Sequence, residues 1–229
     1  DIERYEVNAY GRRISQLEFQ KGERGKTLRL TIDTKVQQLA NELLKDKAGS
    51  ICVMDIYTGE IIAMASSPTY DPNKFTHGIN KIDWDEIKKN PFKPLINKSI
   101  SGLYSPGSTF KPFVYAAAID QLQLSPCDTF PDSQFCVEKN KFGNPEKWCP
   151  RNSGDKYGRT RTLKNALANS INTVTARLID KIGPKPVIKL AKNLGIEQRI
   201  LPVPSIALGT PDLSVYEMVA AYSAFANKG

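Results

Sequence analysis

The pattern Ser-x-x-Lys, which can place a nucleophile beside a base, occurs twice in the 229 residues. The copy at 153–156 lies among turn-forming residues, and we assign it to a solvated loop. In the other copy, Ser108 and Lys111 are followed by Pro112 and by the apolar run Phe113 to Ile119. Because proline is tolerated only in the first turn of a helix, Ser108 is predicted at a helix start, with Lys111 one turn along the same face.

A serine at a helix start can act as a nucleophile without histidine. Its hydroxyl needs a base near neutral pH, and a lysine reaches that range when it is desolvated or lies beside a dipolar or cationic group. The helix end also offers backbone N–H groups to a developing oxyanion. The only histidine, His77, argues against a histidine triad or a multi-histidine metal site. The alternative is that Ser108 merely caps the helix while Lys111 extends to water.

A second polar element, Ser170-Ile171-Asn172, lies where two predicted helices meet and is the only Ser-x-Asn in the chain. A hydroxyl and an amide two residues apart in such a break can point the same way. Ser170 would then relay a proton, and Asn172 would hold a substrate amide. The alternative is an ordinary helix junction at which both residues serve as caps.

The elements around these motifs predict an α+β fold, with a small sheet first and a helical body behind it. The composition, 40% hydrophobic and 24% charged, is that of a globular chain. Residues 1–26 are polar and are interpreted as an irregular lead-in. The predicted elements are a strand at 28–32, a helix opened by a Thr34–Gln37 capping box, an antiparallel hairpin of Gly49–Asp55 and Glu60–Ser66 with Gly59 in its turn, a short helix at Trp84–Lys89, a buried helix at Phe113–Ile119, and helices at about 162–169, 172–182, 186–194 and 215–226, the last opened by a Ser214–Glu217 capping box.

Four cysteines occur without a Cys-x-x-Cys pair, which argues against a zinc ribbon or a thioredoxin-type site. Cys52 lies in an apolar run and is interpreted as a small core residue. Cys127, Cys136 and Cys149 share one loop-rich segment. Either Cys136 and Cys149 are bridged in an oxidising compartment, or all three are free thiols. We expect Cys136 and Cys149 to be close enough to bridge.

The net charge of +8, from 32 Lys and Arg against 24 Asp and Glu, permits a nucleic-acid partner. The basic residues are scattered singly or in pairs, however, with no basic arm and no interleaved aromatic residues. Nucleic acid is therefore not expected as a partner. The longest apolar run, Phe113 to Ile119, is also far shorter than the roughly 20 residues that a membrane span needs.

The two polar elements resemble those of a known family. Gly107 to Pro112 and Ser170 to Asn172 are similar to the first two of three active-site motifs of the penicillin-binding proteins, the serine D,D-transpeptidases that cross-link peptidoglycan. The N-terminal half resembles the monofunctional class B enzymes of the elongation type, and the C-terminal half resembles the transpeptidase domain of bifunctional class A enzymes. Segments that carry these two likenesses are Val7–Arg12, Leu30–Asp33, Gly59–Met64 and Ser67–Asn73 for class B, and Trp148–Asn152, Asn165–Ser170 and Ile206–Thr210 for class A.

The resemblance implies the fold of the penicillin-binding proteins and serine β-lactamases, here as an incomplete sheet packed on a helical body. It implies that Ser108 is the nucleophile that attacks the penultimate D-Ala carbonyl of a stem peptide. Lys111 would be the general base, Ser170 the proton relay, and Asn172 the residue that binds the substrate amide. No metal or organic cofactor is expected. The implied partners are peptidoglycan stem peptides, β-lactams and the cell-wall elongation machinery, on the periplasmic face of a bacterial inner membrane.

The third family motif, K-[ST]-G, does not occur in the chain. We therefore interpret residues 1–26 as a linker to an N-terminal domain, and residues 27–229 as a transpeptidase domain without its C-terminal strands, with an open cleft and reduced stability and activity. The alternative is a non-catalytic penicillin-binding-like scaffold or β-lactam-binding module. β-Lactamases and β-lactam sensors share the first two motifs, but the class B resemblance at the N-terminus favours cell-wall synthesis.

Overall fold

The computed structural model describes residues 1–23, 25–76 and 78–229. His77, on which the argument against a histidine triad or a multi-histidine metal site depends, therefore lies outside the described residues. The chain divides into two compact units, Asp1–Thr31 and Ile32–Gly229. None of the helices in the described ranges is long and apolar enough to cross a membrane.

The first unit contains a hairpin, where the sequence predicted an irregular lead-in. Strands β1 (Ile2–Val7) and β2 (Arg13–Gln20) pair antiparallel, and nearly every residue in them is exposed. The sequence did not predict these strands because both faces of the hairpin are solvated, and such strands lack the usual alternation of apolar and polar residues. The strand predicted at 28–32 is wrong. Leu28 and Leu30 are exposed and lie outside any strand, since alternation makes a strand only where a partner strand is within reach.

The second unit begins with one helix and one hairpin. Helix α1 (Thr34–Leu43) is followed by strands β3 (Gly49–Met54) and β4 (Ile61–Ser67), which pair antiparallel. Gly59 has φ +75° in the connecting turn, the left-handed region that glycine adopts without strain. The predicted hairpin is thereby confirmed.

The N-cap of helix α1 lies one residue before Thr34, the predicted cap. Asp33 is the N-cap, and its carboxylate accepts from two backbone N–H groups of the first turn. Gln37 does not complete a capping box with Thr34. Its side-chain amide instead bonds the backbone of Met64 in both directions, at 3.0 and 2.8 Å, and this contact fixes α1 on strand β4.

The helical body follows the predicted pattern. Phe113, Val114, Leu178 and Ile179 are fully buried at its centre. The Ser214 capping box is also confirmed, because Glu217 completes it at the start of the last helix. The remaining helices are α2 (Lys81–Lys89), α3 (Lys111–Leu122), α4 (Leu163–Ala168), α5 (Asn172–Ile182), α6 (Pro184–Asn193) and α7 (Val215–Asn227).

Short strand pairs join the irregular segments of the body. Strand β5 (Leu103–Tyr104) pairs with β8 (Leu213–Ser214), and β6 (Thr129–Pro131) pairs with β7 (Thr160–Thr162), all antiparallel. The architecture is therefore a helical body with several small sheets, which confirms the α+β prediction.

The long segment between α3 and α4 is closed by a disulfide. Cys136 and Cys149 are bonded, with their Cα atoms 4.1 Å apart, which confirms that they are close enough to bridge. Cys127 is free and exposed. Cys52 is free and half-buried in β3, where burial raises the pKa of its thiol.

Candidate active site

Ser108 lies in a short 3₁₀ turn, Gly107–Phe110, that leads directly into α3. Pro112 occupies the first turn of that helix, as the sequence predicted. Phe110, in the same turn, is fully buried, whereas Ser108 is exposed. The buried Phe110 ring fixes the turn on the core, and the Ser108 hydroxyl is therefore held at the surface.

Lys111 points inward rather than into solvent. It is only 1% exposed, and its Nζ donates to Ser170 O at 2.7 Å, to Ser170 Oγ at 2.9 Å and to Asn172 Oδ1 at 2.5 Å. Burial lowers the pKa of Lys111 from the usual 10.5 to about 8. Near pH 8 a large fraction of Lys111 is therefore the neutral amine, which can accept a proton. An exposed lysine is almost entirely protonated at that pH and cannot serve as a base.

Ser170 connects Lys111 to Ser108. Its hydroxyl donates to Ser108 Oγ at 2.9 Å and accepts from Lys111 Nζ. Ser170 has φ +53°, in the left-handed region, which costs a non-glycine residue about 1–3 kcal/mol. This conformation forms the break between α4 and α5, and it points both the hydroxyl and the carbonyl of Ser170 at Lys111.

Asn172 is the first residue of α5, and both ends of its side-chain amide are occupied. Its Oδ1 accepts from Lys111, and its Nδ2 donates to Arg151 O at 2.6 Å. The amide oxygen has a second lone pair and the amide nitrogen a second N–H bond, so a substrate amide could bond Asn172 while both of these partners stay in place.

A buried carboxylate that the sequence did not indicate lies beside the site. Asp132 is fully buried, and four groups donate to it: Asn152 Nδ2 at 2.6 Å, Thr173 Oγ1 at 2.8 Å, Gly158 N at 2.9 Å and Arg161 Nε at 3.1 Å. Burial raises the pKa of this carboxyl, but the hydrogen bonds outweigh burial and leave it below its usual value. No periodic pattern marks such a residue, because its partners lie in segment 152–161 and at the start of α5, both distant in sequence.

This carboxylate network reaches the Ser-x-Asn element through Thr173 and Asn152. Asn152 Oδ1 accepts from the Thr173 backbone N–H at 3.1 Å, and Asn152 follows Arg151, whose carbonyl bonds Asn172. The start of α5 and residues 151–152 are thus held by the same buried carboxylate, that of Asp132. The only sequence signal was Asn152, which belongs to a segment that carries the family resemblance.

The structure brings Ser108, Lys111, Ser170 and Asn172 into one hydrogen-bonded cluster. Ser153, from the other Ser-x-x-Lys, lies in an exposed 3₁₀ turn. Across the described residues, no group of three or more His, Cys, Asp or Glu side chains could hold a metal ion. The cluster contains an exposed serine hydroxyl, a second hydroxyl bonded to it and a buried amine, and groups of these types in such an arrangement are suited to acyl transfer.

Comparison with known proteins supports the resemblance. The penicillin binding protein transpeptidase domain family matches residues 49–229. Penicillin-binding protein 1A of Aquifex aeolicus is 31% identical over 190 residues, which are 82% of this chain and 22% of that protein. The peptidoglycan D,D-transpeptidase MrdA of Escherichia coli K12 is 39% identical over 117 residues, 51% of this chain and 18% of that protein. The chain thus spans about a fifth of the length of these relatives.

A solved structure extends the likeness to the fold. The complex of penicillin-binding protein PBP2 with MreC from Helicobacter pylori contains a chain that superimposes with a TM-score of 0.77 at 21% identity. The match covers 99% of this chain and 46% of that one.

Proposed function

Because the chain belongs to the penicillin-binding protein transpeptidase family, we propose that it carries the acylation centre of a peptidoglycan D,D-transpeptidase, with Ser108 as the nucleophile. The observation that supports this most strongly is the continuous path from Lys111 Nζ to Ser170 Oγ to Ser108 Oγ, with 2.9 Å for each step. Both distances allow proton transfer between neighbouring groups.

The surroundings of Lys111 suit it to the role of base. A neutral amine has two N–H bonds and one lone pair. The two N–H bonds can continue to donate to Ser170 O and Asn172 Oδ1, which leaves the lone pair facing Ser170 Oγ. The Ser170 hydroxyl then donates to Lys111 and accepts from Ser108, so that the nucleophile loses its proton through the relay.

The proposed reaction proceeds in two steps. Ser108 Oγ bonds to the penultimate D-Ala carbonyl carbon while its proton passes through Ser170 to Lys111. The resulting tetrahedral intermediate breaks its C–N bond, and the departing terminal D-Ala amine takes that proton. An amine of a neighbouring stem peptide then attacks the acyl-enzyme ester and forms the new C–N bond. The ester C–O bond breaks, and the proton that the amine loses returns to Ser108 Oγ. With a β-lactam, the ring C–N bond opens but the amine stays attached, so the serine remains acylated.

The wider setting of this site is part of the same proposal. Stem peptides are the substrates, β-lactams the covalent inhibitors, and the cell-wall elongation machinery the assembly in which the protein works, on the extracytoplasmic face of the membrane. The MreC complex of the similar fold is one support for the last partner. No metal or organic cofactor takes part in the steps above.

The second candidate function is a scaffold or binding module that does not turn over. It is favoured by one observation, that no K-[ST]-G occurs in the 229 residues. Labelling with a fluorescent penicillin tests whether the chain can be acylated. A covalent adduct on the folded chain supports the proposed acylation centre, whereas a folded chain without an adduct supports the scaffold. A β-lactam-binding module would also be labelled, and turnover of a stem-peptide substrate separates it from a transpeptidase.

The position of the adduct tests the residue assignment. Peptide mapping should place it on Ser108, and Ser108→Ala should remove it. Ser153→Ala is the matched control, since it changes the other Ser-x-x-Lys and should label like the wild type. An adduct on Ser153 would contradict the assignment.

A further inference from the structure

We infer that segment 209–214 positions the nucleophile Ser108, and that Gly209 makes the contact on which this depends. This inference rests on the proposed function, because it assigns a role in the acylation of Ser108. Segment 209–214 is far from Ser108 in sequence. Gly209 and Thr210 belong to a segment that carries the family resemblance, but that resemblance assigned them no part in the chemistry.

Gly209 lies against the residue that precedes the nucleophile. Gly209 is buried, and its carbonyl accepts from the backbone N–H of Gly107 at 3.0 Å. A Cβ atom built on Gly209 would lie 2.0 Å from Gly107 O and 2.6 Å from Gly107 C and N. These are backbone atoms that cannot rotate away, so any side chain at position 209 must displace the turn that carries Ser108.

Two further contacts run along the same segment. Strand β8 pairs with β5, with Tyr104 opposite Leu213. Between that pair and Gly209, Ser105 Oγ donates to Asp212 Oδ1 at 3.0 Å. The strand that leads into the nucleophile turn is therefore held at successive points by 209–214. A backbone fixed on one side in this way leaves Ser108 Oγ little freedom to drift from Ser170.

The consequence for catalysis follows from how steeply acyl transfer depends on geometry. A displacement of about 1 Å at the nucleophile can slow the chemical step by about 100-fold. A displaced Ser108 would also lose its 2.9 Å contact with Ser170 Oγ, and with it the path to Lys111. The effect should therefore fall on the acylation step rather than on the first, non-covalent binding of the ligand.

Gly209→Ala tests this, and the chain offers a matched control. Gly209 has φ +72° and Gly59 has φ +75°, so alanine is similarly strained at both positions. The Cβ added at Gly59 meets nothing within 4 Å, whereas the one added at Gly209 meets Gly107. A difference between the two variants therefore reports the contact with Gly107 and not the backbone strain.

The measurement is acylation by a fluorescent penicillin over a range of concentrations, which separates the dissociation constant from the first-order acylation rate constant. We expect Gly209→Ala to lower the rate constant about 100-fold with the dissociation constant nearly unchanged. Gly59→Ala should keep both within about twofold of the wild type, although each variant melts at a lower temperature. Equal rate constants in the two folded variants would overturn the inference.

A second pair of variants decides the matter if Gly209→Ala does not fold. Asp212 and Ser105 are both exposed, so their substitution should spare the core. Asp212→Ala should slow acylation about two- to fivefold, Ser105→Ala should match it, and Asp212→Asn, whose amide oxygen still accepts, should restore the rate. Wild-type rates in both alanine variants would overturn the inference.

The outcome for the wild-type chain separates the inference from its premise. If the folded wild-type chain is not labelled at all, the proposed function fails and the inference fails with it. If the wild type is labelled but segment 209–214 can be altered without slowing acylation, only the inference fails.

Discussion

Lys111 reaches Ser108 through Ser170: the amine donates to Ser170 Oγ at 2.9 Å, and that hydroxyl lies 2.9 Å from Ser108 Oγ. The left-handed conformation of Ser170 places its hydroxyl between the two. In the proposed mechanism, Ser170 is therefore the intermediate step in the deprotonation of Ser108.

Ser170→Ala should therefore slow acylation of Ser108 by about 100-fold or more, because the buried amine loses its bridge to the nucleophile. The acylation rate constant with a fluorescent penicillin measures this. Ser153→Ala is the control and should react at the wild-type rate. If Ser170→Ala reacted as fast as the wild type, the base would have to act on Ser108 directly.

Lys111 should be indispensable for acylation. Lys111→Ala removes the base and should abolish the adduct. It also leaves Ser170 O and Asn172 Oδ1 without their donor, so a loss of about 1–3 kcal/mol of folding free energy is expected, measured by denaturant unfolding. Lys111→Arg tests the chemistry separately, because a guanidinium keeps the charge but does not become neutral in proteins. Acylation that survives in folded Lys111→Arg would exclude Lys111 as the base.

The pH dependence of acylation should follow the lysine. Burial lowers the pKa of Lys111 to about 8, and only the neutral amine can accept a proton. The acylation rate should therefore rise as the pH increases through about 8 and level off above it. Rates measured with one β-lactam between pH 6 and 10 give the profile. A rate that falls over this range would contradict the assignment of Lys111 as base.

The same shift has a consequence for stability. The folded pKa lies below the unfolded value of 10.5, so between pH 8 and about 10.5 the unfolded chain binds more protons at this residue. The contribution of Lys111 to stability should thus increase with pH across that window. Comparing the wild type with Lys111→Ala isolates this contribution, since the variant lacks the group.

Features of the fold and the site could be predicted from the sequence where they depend on residues within one helical turn, and not where they depend on contacts between distant segments. Pro112 after Ser108 fixed the start of α3, and the Ser214 capping box fixed the start of α7, because both act within one helical turn. The contacts of Asp132 and Gly209 connect segments far apart in the chain, and neither residue carries a local pattern. The predicted Thr34 capping box is wrong for the same reason. The Gln37 side chain bonds the backbone of Met64 in a distant strand instead of the N-terminus of its own helix.

The disulfide should stabilise the long loop. A bridge that closes a loop of this length contributes about 2–3 kcal/mol, so Cys136→Ser should lower the melting temperature by about 5–10 °C. Cys149→Ser should have the same effect, and the double variant should add little more. Cys127→Ser is the control, because Cys127 is free and exposed. Equal melting temperatures for Cys136→Ser and Cys127→Ser under oxidising conditions would contradict the prediction.

Asp132 should matter for both stability and acylation. Asp132→Ala removes the acceptor of four donors in a buried position, so a loss of about 3–5 kcal/mol is expected from denaturant unfolding. Because its hydrogen bonds lower the folded pKa, this contribution is present at neutral pH and is lost as the pH falls below the usual value of 3.8.

The acylation rate of Asp132→Ala separates positioning from general stability. Thr173 and Asn152 lose a shared partner in this variant. Asn152 follows Arg151, whose carbonyl accepts from the Asn172 amide, and Thr173 follows Asn172 itself. Acylation in the folded fraction should therefore slow by about tenfold or more. The control is Asp180→Ala, which removes a partly exposed ion pair with Lys141 and should change stability by about 1 kcal/mol or less. An acylation rate constant in folded Asp132→Ala equal to that of Asp180→Ala would limit Asp132 to a role in stability.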